Sequence, residues 1–264
     1  MLNGIEAIIF DIDGTLWDEK MIIPESTKEA IAKLKEKGHK TFICSGRPRA
    51  NITEESLHEL GFDGIIAACG NHIEMNGEII YERLLSKDIV KKIVDLLKEC
   101  DLPIILEGPV CCWISDWGFD NDPYVNYLFE SMADRARLLK EYTDDIKVNK
   151  FSAAVLKHTN YHRFREELSD DFDFYEHDER VMEAVPKNTS KATGIKWLCD
   201  YLGADISDTY AFGDSINDLD MLKSVGHGIA MGNGTEIAKN AAEHITTDIH
   251  DDGILNGCKY YGLI

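Results

Sequence analysis

The sequence predicts an α/β protein, a doubly wound parallel sheet with a separate α+β unit inserted into it. Three observations carry this expectation. Short apolar runs of strand length alternate with amphipathic helical segments at both ends of the chain. Several of these runs end in polar turns rich in Asp, Ser and Gly. Between residues 82 and 186 the alternation gives way to hairpin-like strands mixed with helices. At 264 residues the chain has room for one large domain or two modest ones. The expected division is residues 1–81 and 187–264 as the α/β core, with residues 82–186 as the insertion.

Taken in order, residues 5–10 are an apolar run, Glu6 apart, with no helical stripe, the mark of a buried strand. Asp11 and Asp13 follow at its carboxyl end, and Gly14-Thr15 turns the chain. In open α/β sheets sites form beyond the carboxyl ends of strands, so chemistry is expected here. Extended geometry would project both carboxylates to one side. Like charges that close raise one pKa or call for a counter-cation such as Mg²⁺. A plain acidic Asp-Gly turn is the competing reading.

Ser26, with Glu29 three positions on, predicts an N-cap and capping box for a helix that Gly38 ends. Residues 40–44 form a second strand, ending in Ser45-Gly46-Arg47-Pro48. Residues 50–60 read as a helix, and 64–69 as a third strand. Asn76-Gly77 marks a hairpin across 74–80. In the insertion, helices are expected at 87–100, 124–139 and 163–168. Strands are expected at 104–106, 110–114 and 151–157, with 172–175 and 180–185 paired. The α/β pattern resumes with a helix at 191–202 and a strand at 209–212 ending in Gly213-Asp214-Ser215-Ile216-Asn217-Asp218. A helix at 219–224 leads to a strand at 228–231, closed by Gly232-Asn233-Gly234. Thr235 caps a helix running through 242, and 244–246 is a last short strand.

A net charge of −20 disfavours nucleic acid and anionic membranes as partners. An anionic substrate would need local positive charge, from a metal or from a few placed Lys and Arg. The seven cysteines include one adjacent pair, Cys111-Cys112, and no Cys-x-x-Cys, which fits reduced thiols better than disulfides or zinc. His158 and His162 have no third ligand nearby in sequence, and Cys111-Cys112-Trp113 reads as a packed strand. Asp170-Asp171 and Asp251-Asp252 read as solvated faces. The N-terminus shows no signal-peptide pattern and no apolar run is long enough to span a membrane, so a cytoplasmic location is expected.

Four pieces now stand in order at predicted strand and helix ends: Asp11-x-Asp13-Gly-Thr, Ser45-Gly-Arg-Pro, Lys191, and Gly213-Asp214-x-x-Asn217-Asp218. Together they resemble the haloacid dehalogenase superfamily of phosphotransferases, over essentially the whole chain. The insertion between the second and third pieces, with Gly232-Asn233-Gly234 after the fourth, resembles its Cof-like branch with a type IIB cap. The resemblance implies Asp11 as nucleophile, forming an aspartyl-phosphate, and Asp13 as general acid and then base. It implies a Mg²⁺ site made of Asp11, Asp214 and the backbone carbonyl of Asp13, with Asp218 holding metal-bound waters or Lys191. Ser45, the Gly46 amide and Asn217 would hold phosphoryl oxygens, and Arg47 would face either the substrate or a surface carboxylate. Lys191 would neutralise charge on Asp11 and the phosphoryl group. Ser45 stands where many relatives carry Thr, which keeps the hydroxyl.

The leading expectation is therefore a Mg²⁺-dependent phosphatase of a small phosphorylated metabolite, with the cap choosing the substrate. Phosphoryl transfer to another sugar keeps the same residues and is the second reading. A non-catalytic phosphometabolite-binding protein is the third, although the presence of Asp11, Asp13, Lys191 and Asp214 argues against it. Neither the substrate nor the oligomeric state is legible in the sequence.

Overall fold

The computed structural model describes residues 6–141, 145–176 and 180–264. Their contacts divide into two units, one of residues 1–46, 54–81 and 190–264 and one of residues 47–53 and 82–189. The first unit opens with β1 (Ala7–Phe10), α1 (Glu25–Glu36), β2 (Lys40–Cys44), α2 (Glu55–His58), β3 (Gly64–Ala67), β4 (His72–Met75) and β5 (Glu78–Glu82). The second contains α3 (Lys87–Glu99), β6 (Ile104–Glu107), β7 (Cys112–Ile114), α4 (Pro123–Met132), β8 (Ala136–Leu138), β9 (Lys150–Ala154), α5 (Tyr161–Leu168), β10 (Phe172–Glu176) and β11 (Val181–Pro186). The chain then returns to the first through α6 (Lys191–Leu202), β12 (Thr209–Gly213), α7 (Leu219–Ser224), β13 (His227–Ala230), α8 (Glu236–Ala241), β14 (His244–Ile245) and α9 (Gly253–Tyr260).

The first unit holds an eight-stranded sheet in the order β14-β13-β12-β1-β2-β3-β4-β5. The strands from β14 to β3 run parallel, and β4 turns back antiparallel on β3. β1 and β3 are buried at every residue, as expected for parallel strands covered on both faces. β1 lies between β2 and β12, where the strand order reverses, and the carboxyl ends of these three strands share one edge of the sheet. Asn76 (φ 51) and Gly77 (φ 80) make the tight turn between β4 and β5.

The second unit holds a six-stranded sheet ordered β10-β11-β9-β6-β7-β8. Period-2 alternation sorts its core. Ile104, Leu106 and Trp113 pack with residues of α3 and α5, around Phe151, Phe164 and Phe172. Ile105, Cys112 and Ile114 pack on the other face with Val125, Leu128 and Met132 of α4. On that second face the buried Lys150 ammonium lies 2.5 Å from Glu107 and 2.7 Å from Glu183. All seven cysteines are buried as free thiols. Among the described residues no helix is long and apolar enough to cross a membrane.

Several local expectations need correction. Pro24 is the N-cap of α1, so the helix starts before Ser26 and no side chain caps it; the Ser26–Glu29 capping box does not form. The helix expected over residues 50–60 is a 3₁₀ turn, Arg49–Asn51, and the four-residue α2. Between them Ile52 leaves helical geometry, and Ala50 is buried in the α4 cluster of the second unit. The helix expected over residues 124–139 stops at Met132, because Ala133 takes φ 50. The chain beyond it pairs as β8 alongside β7. α9 was not anticipated; it packs on α1, burying Ile254, Leu255 and Cys258. Ile5 of the first predicted strand lies outside the described residues.

Candidate active site

Asp11 is the first residue beyond β1, and its amide donates to the Phe212 carbonyl of β12 at 3.0 Å. Phe10 pairs with Ile43 on one side and Phe212 on the other. Asp11 is therefore level with Cys44 and Gly213, and Ser45 and Asp214 stand one position further along the same edge. Ser45 is buried, held by its amide on Ile66 O and by its carbonyl, which accepts from Cys69 N. Arg47, half-buried, falls in the second unit.

Lys191 arrives from the amino end of α6. Ser190 caps that helix in a reciprocal box with Thr193. Gly70 lies so near the start of α6 that a Cβ there would sit 2.4 Å from the Ser190 carbonyl. The Lys191 ammonium is 2.5 Å from Asp11 Oδ1 and 2.6 Å from Asp218 Oδ1, with Asn217 Oδ1 at 3.4 Å. Asp218 is fully buried, and its Oδ2 accepts the amides of Asp214 and Ser215 at 2.9 and 3.0 Å. Asn217 itself is exposed.

Asp214 Oδ1 accepts the Thr15 hydroxyl at 3.1 Å. Gly14 takes φ +80, and a Cβ there would lie 2.5 Å from Asp214 Oδ2, so glycine alone fits. Asn233 donates to the Gly14 carbonyl at 2.8 Å and accepts from Ile249 N, tying the first loop to the last part of the chain. Asp13 is exposed, and its Oδ1 accepts the buried Trp17 indole N–H at 2.9 Å. Asp11 is buried whereas Asp13 is exposed, although the two carboxylates are near enough for the Asp13 charge to act on Asp11. The strand ends at Phe10, and Leu16 N and Trp17 N both fold back onto Ile12 O.

Carboxylate oxygens of Asp11, Asp214 and Asp218 lie within 4.8 Å of one another. Burial, then the Asp218 charge, raises the Asp11 carboxyl well above the usual range, against the lowering pull of Lys191. Burial and Asp218 push Asp214 up to about 7. Burial alone would depress Lys191, but Asp11 and Asp218 outweigh it and hold the ammonium well above its ordinary value. Three carboxylates face one ammonium, so the cluster lacks positive charge, and its donors are all oxygen. A divalent hard cation fits both conditions.

Of the residues singled out in sequence, Asp11, Lys191, Asp214, Asn217 and Asp218 converge through these contacts. Ser45 and Gly46 stand at the neighbouring strand end. Thr15, Trp17 and Asn233 were not assigned roles, although Thr15 and Asn233 lie inside the quoted motifs. Their contacts depend on loop closure, which spacing does not encode.

Residues 8–257 match the family described as haloacid dehalogenase-like hydrolase, and the chain belongs to it. Within that family it falls in the Cof-like branch with a type IIB cap. It is 32% identical over 267 residues, 98% of each chain, to YkrA of Bacillus subtilis (strain 168). It is 28% identical over 273 residues, 96% of each chain, to the 5-amino-6-(5-phospho-D-ribitylamino)uracil phosphatase YitU of the same organism. The solved structure of a protein from Geobacillus kaustophilus HTA426 matches at TM-score 0.85 and 28% identity, covering 99% of this chain and 100% of that one. The HAD subclass IIB sugar phosphatase BT4131 matches at TM-score 0.79 and 26% identity, covering 98% and 100%.

Proposed function

We propose that the protein is a Mg²⁺-dependent phosphatase that hydrolyses a small phosphomonoester through an aspartyl-phosphate on Asp11. The observation that carries the reading is the buried Asp11–Lys191–Asp218 arrangement beside Asp214. Lys191 orients Asp11 by its Oδ1 and offsets negative charge gathering on the phosphoryl group. Asp11 attacks phosphorus, and the bond from phosphorus to the ester oxygen breaks. Asp13 gives its proton to the departing alkoxide. Asp13 then takes a proton from water as the water oxygen attacks phosphorus, releasing phosphate and restoring the Asp11 carboxylate. Ser45, the Gly46 amide and Asn217 bind the phosphoryl oxygens.

Asp11, Asp214 and the Asp13 backbone carbonyl would hold Mg²⁺, whose chemistry is to draw charge from the phosphoryl oxygens. Asp218 positions Lys191 and the Asp214–Ser215 turn. Residues 82–186 serve as the cap that selects the substrate. The substrates of the relatives support a small one. YitU acts on a phosphorylated ribitylaminouracil, BT4131 on sugar phosphates, and a relative from Methanobrevibacter smithii is a phosphoglycolate phosphatase.

The test is phosphate release from a panel of phosphorylated sugars, sugar alcohols, nucleotides and short acids, with and without Mg²⁺. The expected result is Mg²⁺-dependent release led by one or two compounds. Asp11→Asn should lose at least about 10³-fold in kcat with unchanged circular dichroism. Wild-type turnover in that variant would remove Asp11 as nucleophile.

A further inference from the structure

Asp13 is exposed, yet its carboxyl is held. The Trp17 ring that holds it is buried to 1% exposure, and its Nε1 donates to Asp13 Oδ1 at 2.9 Å. The backbone fixes the same pair. Asp13 and Trp17 form an isolated parallel bridge, Gly14 N donates to Trp17 O at 3.0 Å, and Trp17 N returns to Ile12 O at 3.2 Å. Indole is a donor with no acceptor, so it occupies a lone pair of Oδ1 whether the carboxyl is ionised or protonated. The contact therefore limits how the carboxyl can rotate in both protonation states. A short, flexible side chain on an exposed turn is thereby held in one orientation.

We infer that Trp17 is a positioning residue for leaving-group protonation, its indole N–H fixing the orientation in which the Asp13 carboxyl gives its proton to the departing alkoxide. This rests on the acid–base role proposed for Asp13. Position 17 lies outside the motifs that suggested that role, and nothing in residue spacing points to it.

The chemistry supplies a readout that a structural role would not move. An alkoxide must be protonated as it leaves, whereas p-nitrophenolate departs unprotonated at neutral pH. The ratio kcat/KM reports steps through leaving-group departure, so later hydrolysis of the aspartyl-phosphate does not enter. The experiment compares an alkyl phosphate turned over in the substrate panel with p-nitrophenyl phosphate. The variants are Trp17→Phe, Asp13→Asn, and Trp17 replaced by 3-benzothienylalanine, which exchanges the indole N–H for sulfur at nearly constant shape.

Both Trp17 variants should lose kcat/KM on the alkyl phosphate at least about tenfold more than on p-nitrophenyl phosphate, the scale of a lost hydrogen bond to a charged group. Asp13→Asn should show the same bias more strongly. Equal losses on both substrates, or none, in the benzothienyl enzyme while Asp13→Asn keeps the bias would overturn the role of Trp17 alone. An Asp13→Asn enzyme without bias would overturn the acid–base reading, and this inference with it. Should Trp17→Phe fold poorly, the benzothienyl variant carries the comparison.

Discussion

Lys191 contacts two carboxylates at once, and the ammonium, Asp11 and Asp218 are all buried. A buried ion pair is a weak source of net stability, but removing one partner leaves uncompensated charge and is costly. Lys191→Met should therefore lower the free energy of unfolding by about 3 kcal/mol when divalent cations are chelated. Adding Mg²⁺ should recover part of that loss, because a cation held by Asp11 and Asp214 as proposed would restore positive charge. Urea denaturation with EDTA and with Mg²⁺ measures both effects. Equal stability of variant and wild type in EDTA would mean that the carboxylates are relieved some other way. The same residue shows what a motif can convey. Lys191 was legible as a candidate from its place in the order of motifs, and the resemblance already implied Asp11 and Asp218 as its partners; the structure adds that one ammonium contacts both at once.

The elements set where these side chains stand. Asp11, Ser45 and Asp214 follow three neighbouring parallel strands, and a shared register brings them to one edge. Lys191 enters from a helix whose start is fixed by the Ser190–Thr193 box and by the close approach at Gly70. Ser190→Ala should cost about 1 kcal/mol of stability, and Ser190→Gly only a few tenths. Two urea titrations distinguish them, and equal costs would place the stabilisation outside the cap. Elements with strong local signals were read correctly, among them α3, α6, α7 and the Asn76-Gly77 hairpin. Those that failed were decided by packing. Ala50 is taken into the second unit's core and breaks a helix that its own sequence permits. α9, which opens on Gly253 after two aspartates, is held by its contact with α1.

At the scale of the whole molecule, the pH dependence of stability carries a signature of the first unit. His39 is buried, and its Nδ1 accepts the Glu6 amide at 3.1 Å. Burial, aided by Lys37 and opposed by Glu6, lowers its pKa from the ordinary 6.5. The unfolded chain therefore binds the proton more readily. The contribution of His39 is fully present above about pH 6.5 and is lost as pH falls below it. Thermal midpoints between pH 7.5 and 5.5 should fall more steeply for wild type than for His39→Gln, at conditions spanning the ordinary histidine range. Parallel curves would assign the acid sensitivity to other groups.

The sequence by itself determined the fold class, the family and the identity of the charged residues at the strand ends. These depend on local patterns, namely apolar periodicity, turn residues and motif order, which survive without knowledge of any partner. Tertiary structure decided the rest. It set Asp11 and Asp13 in different surroundings, aimed the Trp17 indole at Asp13, and tied Asn233 to Gly14 across 219 positions of chain. A hydrogen bond between residues far apart in sequence, or across a closed turn, depends on where the backbone finally runs. That path is fixed only when the sheet and its loops have formed.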